Sequence, residues 1–195
     1  MKLKEINQKY TVKLASQSPR RQQFLRDLGV DFQLVKIDIE ENYPSHLQKE
    51  EITDFLCQLK AEHADFTNEN DVIITCDTIV WHDGKALGKP KNADEAFEII
   101  SSMSGKTHSV VSSVCMKSKE KIVVFHESTE VSFSQLTDED IRYYIETYRP
   151  FDKAGAYGIQ EWIGLIGIEK INGSYTNVVG MPMEKLYKHL INWDK

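Results

Sequence analysis

At 195 residues, with 41% hydrophobic and 28% charged side chains, the chain has the size and composition of one globular domain with a sizeable core. Its formal net charge of -6 excludes a protein that grips polymeric nucleic acid by broad phosphate neutralisation, yet allows a local basic cluster around a small anion. Three scattered cysteines, Cys57, Cys76 and Cys115, form no CxxC pair. No secretory-type or membrane-length apolar run is present, so reduced thiols and a cytoplasmic location away from membranes are expected.

Residues 1–10 read as a polar leader, and residues 11–15 as a short strand. The stretch "LASQSPRRQQFLRDLG" then predicts a helix. Ser18 suits the N-cap, Pro19 the first turn, Phe24, Leu25 and Leu28 share a face, and Gly29 ends it. Arg20 and Arg21 thus fall at a helix N-terminus, where the peptide dipoles make each added cation unfavourable by roughly 0.3–1 kcal/mol. A bound phosphate, held by backbone N–H groups, the hydroxyls of Ser16 and Ser18 and two guanidinium forks, reverses that sign. Two solvated arginines tolerating a small penalty remain the alternative.

Further along, residues 32–39 alternate like a strand and run into the acidic "DIEENYP". Residues 49–64 form a helix with Ile52, Phe55, Leu56 and Leu59 on one face and Lys60 at its border. "DVIITCD" is a buried strand ending in Asp77, and "DG" at Asp83 and Gly84 is a turn. Asn92 caps a helix through Met103, followed by strands at 108–116 and 121–126 with "KSKEK" as a hairpin tip. Thr137 caps a helix that Pro150 breaks, strands follow at 162–169 and 175–179, and a helix from Pro182 closes the chain. Hairpins mixed with crossovers predict an α/β or α+β fold, a mixed sheet with helices packed around it.

A carboxylate at a strand end projects toward a loop, so Asp77 is the first candidate for chemistry, against the alternative that it caps a turn. Glu40 and Glu41 could join it. Two or three carboxylates converging with a phosphate hold Mg²⁺ through oxygen, and one can deprotonate water. Lys60, Lys89 in "LGKP" and Lys153 in "DKAGAYGIQ" are candidate phosphate cations; singly, each also reads as a surface lysine. His108 could touch a ligand or be structural. Zinc-type histidine spacing, GxGxxG, GxxxxGK[ST] and GxSxG are absent from the sequence.

The segments "LASQSPRRQQFLRDLGVDF", "CDTIV", "DGKALGKPKNADEAFEIISSMSGKTHSVVSSV", "TEVSFSQLTDEDIRYYIET", "DKAGAYGIQ" and "NGSYTNVVGMPM" together resemble the Maf family of nucleoside triphosphate pyrophosphatases, over nearly the whole chain. The resemblance implies a single Maf-like domain over residues 1–195. The implied fold is an elongated mixed-sheet α/β one shared with inosine-triphosphate pyrophosphatases, with a cleft between two lobes, and commonly a homodimer. It implies hydrolysis of a small-molecule nucleoside triphosphate to the monophosphate and pyrophosphate with Mg²⁺ or Mn²⁺. By position, Ser16, Arg20 and Arg21 look like the phosphate loop. Asp77 looks like the base activating water at the α-phosphorus, Lys60 and Lys89 like charge stabilisers, and Glu41 and Asp77 like metal ligands.

"DKAGAYGIQ", with Thr78 and Gln160, resembles the branch acting on dTTP and UTP, since an amide presents both donor and acceptor to a uracil or thymine edge. Cys76 stands where the family has a small residue, and Glu161 where it has glycine. Glu161 is expected to add negative charge beside the base-reading residue. Two alternatives stay open: the same chemistry on 7-methyl-GTP or another purine nucleotide, and a non-catalytic nucleotide-binding regulator of cell division.

Overall fold

The computed structural model describes residues 2–194. Strands β1 (Thr11–Leu14), β2 (Phe32–Leu34), β3 (Asp71–His82), β4 (Lys85–Leu87), β5 (Thr107–Lys117), β6 (Ile122–Phe133) and β7 (Ile168–Asn172) form a mixed sheet. Its order is β2-β1-β3-β5-β6-β7, with β4 paired to β3. β1 runs parallel to both β2 and β3, whereas β3 with β4 and β6 with β7 are antiparallel. The parallel pairs need crossovers, supplied by helices α2 (Pro19–Leu28) and α3 (Glu50–Glu62). The α/β expectation is met. Among the described residues no helix is long and apolar enough to cross a membrane.

The chain divides into two compact units, one holding the described residues up to Asp77, Ser112–Glu127 and those from Gly180 onward, the other Thr78–Val111 and Ser128–Val179. The first unit's core joins Val12 and Leu14 of β1, Leu25 of α2, and Val72 and Ile74 of β3 to Leu186 and Leu190 of the last helix, Met183–Ile191. Residues expected as a polar leader contribute to it. Lys2–Lys9 is helix α1, whose Leu3 and Ile6 are buried in the same cluster, three residues apart on one face. Lys13 is buried with its ammonium 2.7 Å from Asp71, whose Oδ2 also accepts from the N–H groups of Thr67 and Asn68. Burial alone would push the Asp71 carboxyl up; Lys13 and the two N–H donors outweigh that and hold it at about 2.

The second unit's core gathers Val80, Ile100, Met103, Val131, Phe133, Ile141, Tyr144, Tyr157 and Ile163. Its two longer helices start where their caps say. The Asn92 side chain accepts from the Glu95 N–H ahead of α4 (Ala93–Met103), and Thr137 with Asp140 forms a capping box ahead of α5 (Asp138–Tyr148).

Other expected elements differ too; β6, expected over 121–126, runs on to Phe133 because Glu130, Val131, Ser132 and Phe133 pair with β7. β2 stops at Leu34 because its partner β1 ends at Leu14: the Val35 N–H still donates to the Leu14 carbonyl at 3.0 Å, and beyond it Val35 and Ile37 keep the alternation only by packing beside Ala15 and Ile73. β3 continues five residues past Asp77, because its far half pairs with β4 through Val80, Trp81 and His82, so Asp77 is mid-strand. Residues 162–169, read as a strand, begin as helix α6 (Trp162–Gly167) and become β7 only at Ile168. Gly164 there lies so close to the Ile159 carbonyl that an added Cβ would sit 1.8 Å from its oxygen, a contact apolar patterning does not reveal. Residues 175–179 are helix α7 (Tyr175–Val179), started by the Ser174 hydroxyl accepting from the Asn177 N–H.

His108 of β5 is enclosed by Phe133 and Tyr157, with a ring nitrogen 2.7 Å from the Tyr157 hydroxyl. Burial, helped by nearby His82, drives its pKa down from 6.5 to about 3. The native state therefore resists a proton that the unfolded chain accepts, so its contribution to stability is intact above pH 6.5 and lost as pH falls toward 3. The slope is at most about 1.4 kcal/mol per pH unit. Urea unfolding between pH 7 and 4 should show a shallower fall for His108→Gln than for wild type; identical slopes would contradict this.

Candidate functional site

The first unit brings α3 and β3 together through matched periods. Thr75 and Asp77, two apart on β3, share one face, as do Cys57 and Lys60, three apart on α3. The Thr75 hydroxyl donates to the Cys57 carbonyl at 2.5 Å, and one step further along both elements the Lys60 ammonium donates to Asp77 Oδ1 at 2.6 Å. Ser113 of β5 anchors the start of α3, its hydroxyl 2.6 Å from both Thr53 Oγ1 and Asp54 Oδ1. Glu41, from the irregular segment after β2, reaches the same ammonium at 2.9 Å. Glu40 instead accepts from the Asn42 side chain, so Glu41 is the member of the acidic pair that joins Lys60.

Burial pushes the Asp77 carboxyl above its ordinary value; Lys60 and then Arg21 oppose the shift, and Glu41 adds to it. Burial would lower Lys60, but Asp77 and Glu41 outweigh it and hold the ammonium above its ordinary value. The result is a charged pair whose carboxylate is more basic than a solvated aspartate.

Arg21, in the first turn of α2, is built into this unit. Its Nε donates to the Gly180 carbonyl and its Nη1 to the Cys76 carbonyl, both at 2.9 Å, and Nη1 lies 3.4 Å from Ser16 Oγ. The Cys76 thiol contacts the same Gly180 carbonyl. Two carbonyls thus aim the guanidinium beside Asp77, a bracing that sequence reasoning missed because backbone oxygens leave no residue signature. The Ser18 N-cap has no side-chain hydrogen bond, and the Ser16 hydroxyl accepts from the Ser18 N–H at 3.3 Å. Ser16, Arg21, Glu41, Lys60 and Asp77 therefore converge, and half-buried Arg20 follows the same helix start.

The other expected residues belong to the second unit. Thr78 is half-buried on β3, Lys89 is exposed after β4, and Gln160 is exposed in a turn closed by the Glu161 N–H on the Gly158 carbonyl at 3.0 Å. Lys153, read as a phosphate cation, is buried and held by Asp152 at 2.7 Å and Glu161 at 3.2 Å. Glu161, read as added negative charge, shares that lysine with Asp152, so one cation faces two carboxylates, and it accepts a hydrogen bond from the Tyr144 hydroxyl. His108 has its place in the core.

A mixed sheet with flanking helices, an arginine-bearing helix start and a buried carboxylate–lysine pair define the class, an α/β protein with a charged cluster in its first unit. The chain belongs to the Maf family: the Maf-like protein model matches residues 11–193. It is 54% identical over 189 residues to the dTTP/UTP pyrophosphatase of Flavobacterium johnsoniae, covering 96% of this chain and 97% of that one. It is 53% identical to that of Flavobacterium psychrophilum over 92% of each chain, and 46% identical to that of Bacteroides fragilis over 93% of this chain and 95% of the relative. A solved HAM1 protein from Coxiella burnetii shares the fold at a TM-score of 0.51 and 15% identity, over 94% of this chain and 99% of that one.

Removing the ammonium leaves two neighbouring carboxylates with Arg21 as the cation beside Asp77. Lys60→Met should cost about 3 kcal/mol at pH 8, less at pH 5, where Asp77 takes up a proton more readily. Adding Asp77→Asn should recover part of the loss. Urea unfolding of the single and double variants checks this; an equal cost at both pH values, with no recovery, would contradict the coupling.

Proposed function

We propose that this chain hydrolyses dTTP and UTP, and modified pyrimidine nucleotides, to the monophosphate and pyrophosphate. The observation that carries the reading is the convergence of Lys60, Glu41 and Arg21 on buried Asp77. Asp77 accepts the proton of a water attacking the α-phosphorus. Burial makes it a better base, and Lys60 keeps it ionised. Ser16, Arg20, Arg21 and Lys60 bind the triphosphate, with Arg21 aimed by its two carbonyl contacts. Lys89 is assigned to the phosphates and Thr78 and Gln160 to the nucleobase, assignments supported by the family relationship.

Mg²⁺ or Mn²⁺ completes the reading. Glu41 and Asp77 both reach one ammonium and offer hard oxygen donors, and no group of three or more metal-ligating side chains occurs among the described residues. That donor set suits a cation held by one or two carboxylates plus substrate phosphates, and the bound ion would neutralise phosphate charge. A cytoplasmic enzyme is supported by three buried free thiols, and a homodimer by the family resemblance.

Pyrophosphate release should favour dTTP and UTP over CTP, GTP and 7-methyl-GTP, with Asp77→Asn lowering kcat by about 10²–10⁴-fold. Preference for 7-methyl-GTP would overturn the base assignment, and full activity of Asp77→Asn the mechanism. Because Asp77 must be unprotonated to act, kcat/KM should show an acid limb, and a rate independent of pH on the acid side would contradict the role given to Asp77.

A further inference from the structure

An amide is a poor discriminator when it can turn over. Uracil and thymine present N3–H as a donor and cytosine presents N3 as an acceptor, and a glutamine rotated by half a turn satisfies either. Selecting one requires something that fixes which end of the amide faces outward.

The turn carrying Gln160 has such a group. Gln160 Nε2 and Glu161 Oε2 each lie 3.0 Å from the point where a side chain on Gly158 would begin, so amide and carboxylate fold back over the same glycine. The carboxylate is itself clamped. Its Oε1 is 3.2 Å from Lys153, and its Oε2 accepts from Tyr144, whose hydroxyl oxygen in turn accepts from the Gly158 N–H at 2.9 Å. Since that N–H can only donate, the tyrosine proton is left to point at Glu161. Tyr144 is fully buried and Lys153 nearly so, which fixes the clamp to α5 and to the residues before the turn.

We propose that Glu161 is a positioning residue for base selection: its clamped carboxylate attracts the Gln160 NH₂ group inward, leaving Oε1 outward to accept from N3–H of uracil or thymine and to reject cytosine. This rests on the reading of Gln160 as the base-selecting residue.

The test is calorimetric binding of the α,β-methylene analogues of UTP and CTP, which needs no turnover, to wild type, Gln160→Ala, Glu161→Gln and Tyr144→Phe, with melting temperatures alongside. Wild type should prefer the UTP analogue. Glu161→Gln, nearly isosteric but uncharged, should lower the ratio of the two affinities about 10-fold, the equivalent of one hydrogen bond. Tyr144→Phe, which keeps the charge and removes one anchor, should lower it less. A merely structural Glu161 would weaken both analogues equally or lower only the melting temperature, leaving the ratio unchanged, and that overturns the proposal. If wild type shows no preference, or Gln160→Ala keeps it, the base-selecting reading falls and the proposal with it. If Gln160→Ala abolishes the preference while Glu161→Gln and Tyr144→Phe retain it, the positioning role alone is overturned.

Discussion

Asp77 and Lys60 meet at 2.6 Å with little of either side chain exposed, and the surroundings of that ion pair explain much of the first unit. A buried carboxylate without a partner would take up a proton instead of holding its charge. Lys60 prevents that only if α3 lies against β3 in one register, and the hydroxyls of Thr75 and Ser113 tie down the turns of the helix that precede the contact. Glu41 then shares the ammonium and Arg21 brings a second cation, itself oriented by the carbonyls of Cys76 and Gly180. The opposing charges balance closely enough for Asp77 to remain a carboxylate while becoming more basic than one in water.

Local signals in the chain translated directly into structure. Pro19 and Gly29 bound α2, Asn92 opens α4 and Thr137 opens α5, because such signals act within four residues and leave their chemistry in the sequence, whereas Ser18 holds the N-cap position of α2 without a capping bond. Asp83 and Gly84, both at positive φ, form the expected turn. Elements decided by distant contacts depart from their local pattern. The apolar run at Trp162 looks like a strand but turns as a helix against Ile159, and the alternation after Phe32 outlasts the edge strand it begins. Asp77 looked terminal because the pairing that prolongs β3 comes from β4, beyond an intervening turn.

The candidate site divides the same way. Residue types pointed to Ser16, Arg20, Arg21, Lys60 and Asp77, since cations at a helix start and a charge ending an apolar run are anomalies visible in a string of letters. Which of Glu40 and Glu41 would join them was not legible, because adjacent residues exchange faces with a one-residue shift. Lys153 misled for a related reason. Small residues follow it in the chain, but its ammonium is shared by two carboxylates, adjacent Asp152 and Glu161 eight positions on, and the second is invisible from local sequence.

What unites these features is the claim that a water molecule, deprotonated at Asp77, attacks the α-phosphorus of a nucleoside triphosphate. Hydrolysis of UTP in ¹⁸O-labelled water, followed by mass spectrometry of the products, tests it most directly. The account predicts one labelled oxygen in the uridine monophosphate and none in the pyrophosphate. Label in the pyrophosphate, or release of labelled orthophosphate, would place the attack at another phosphorus and contradict it.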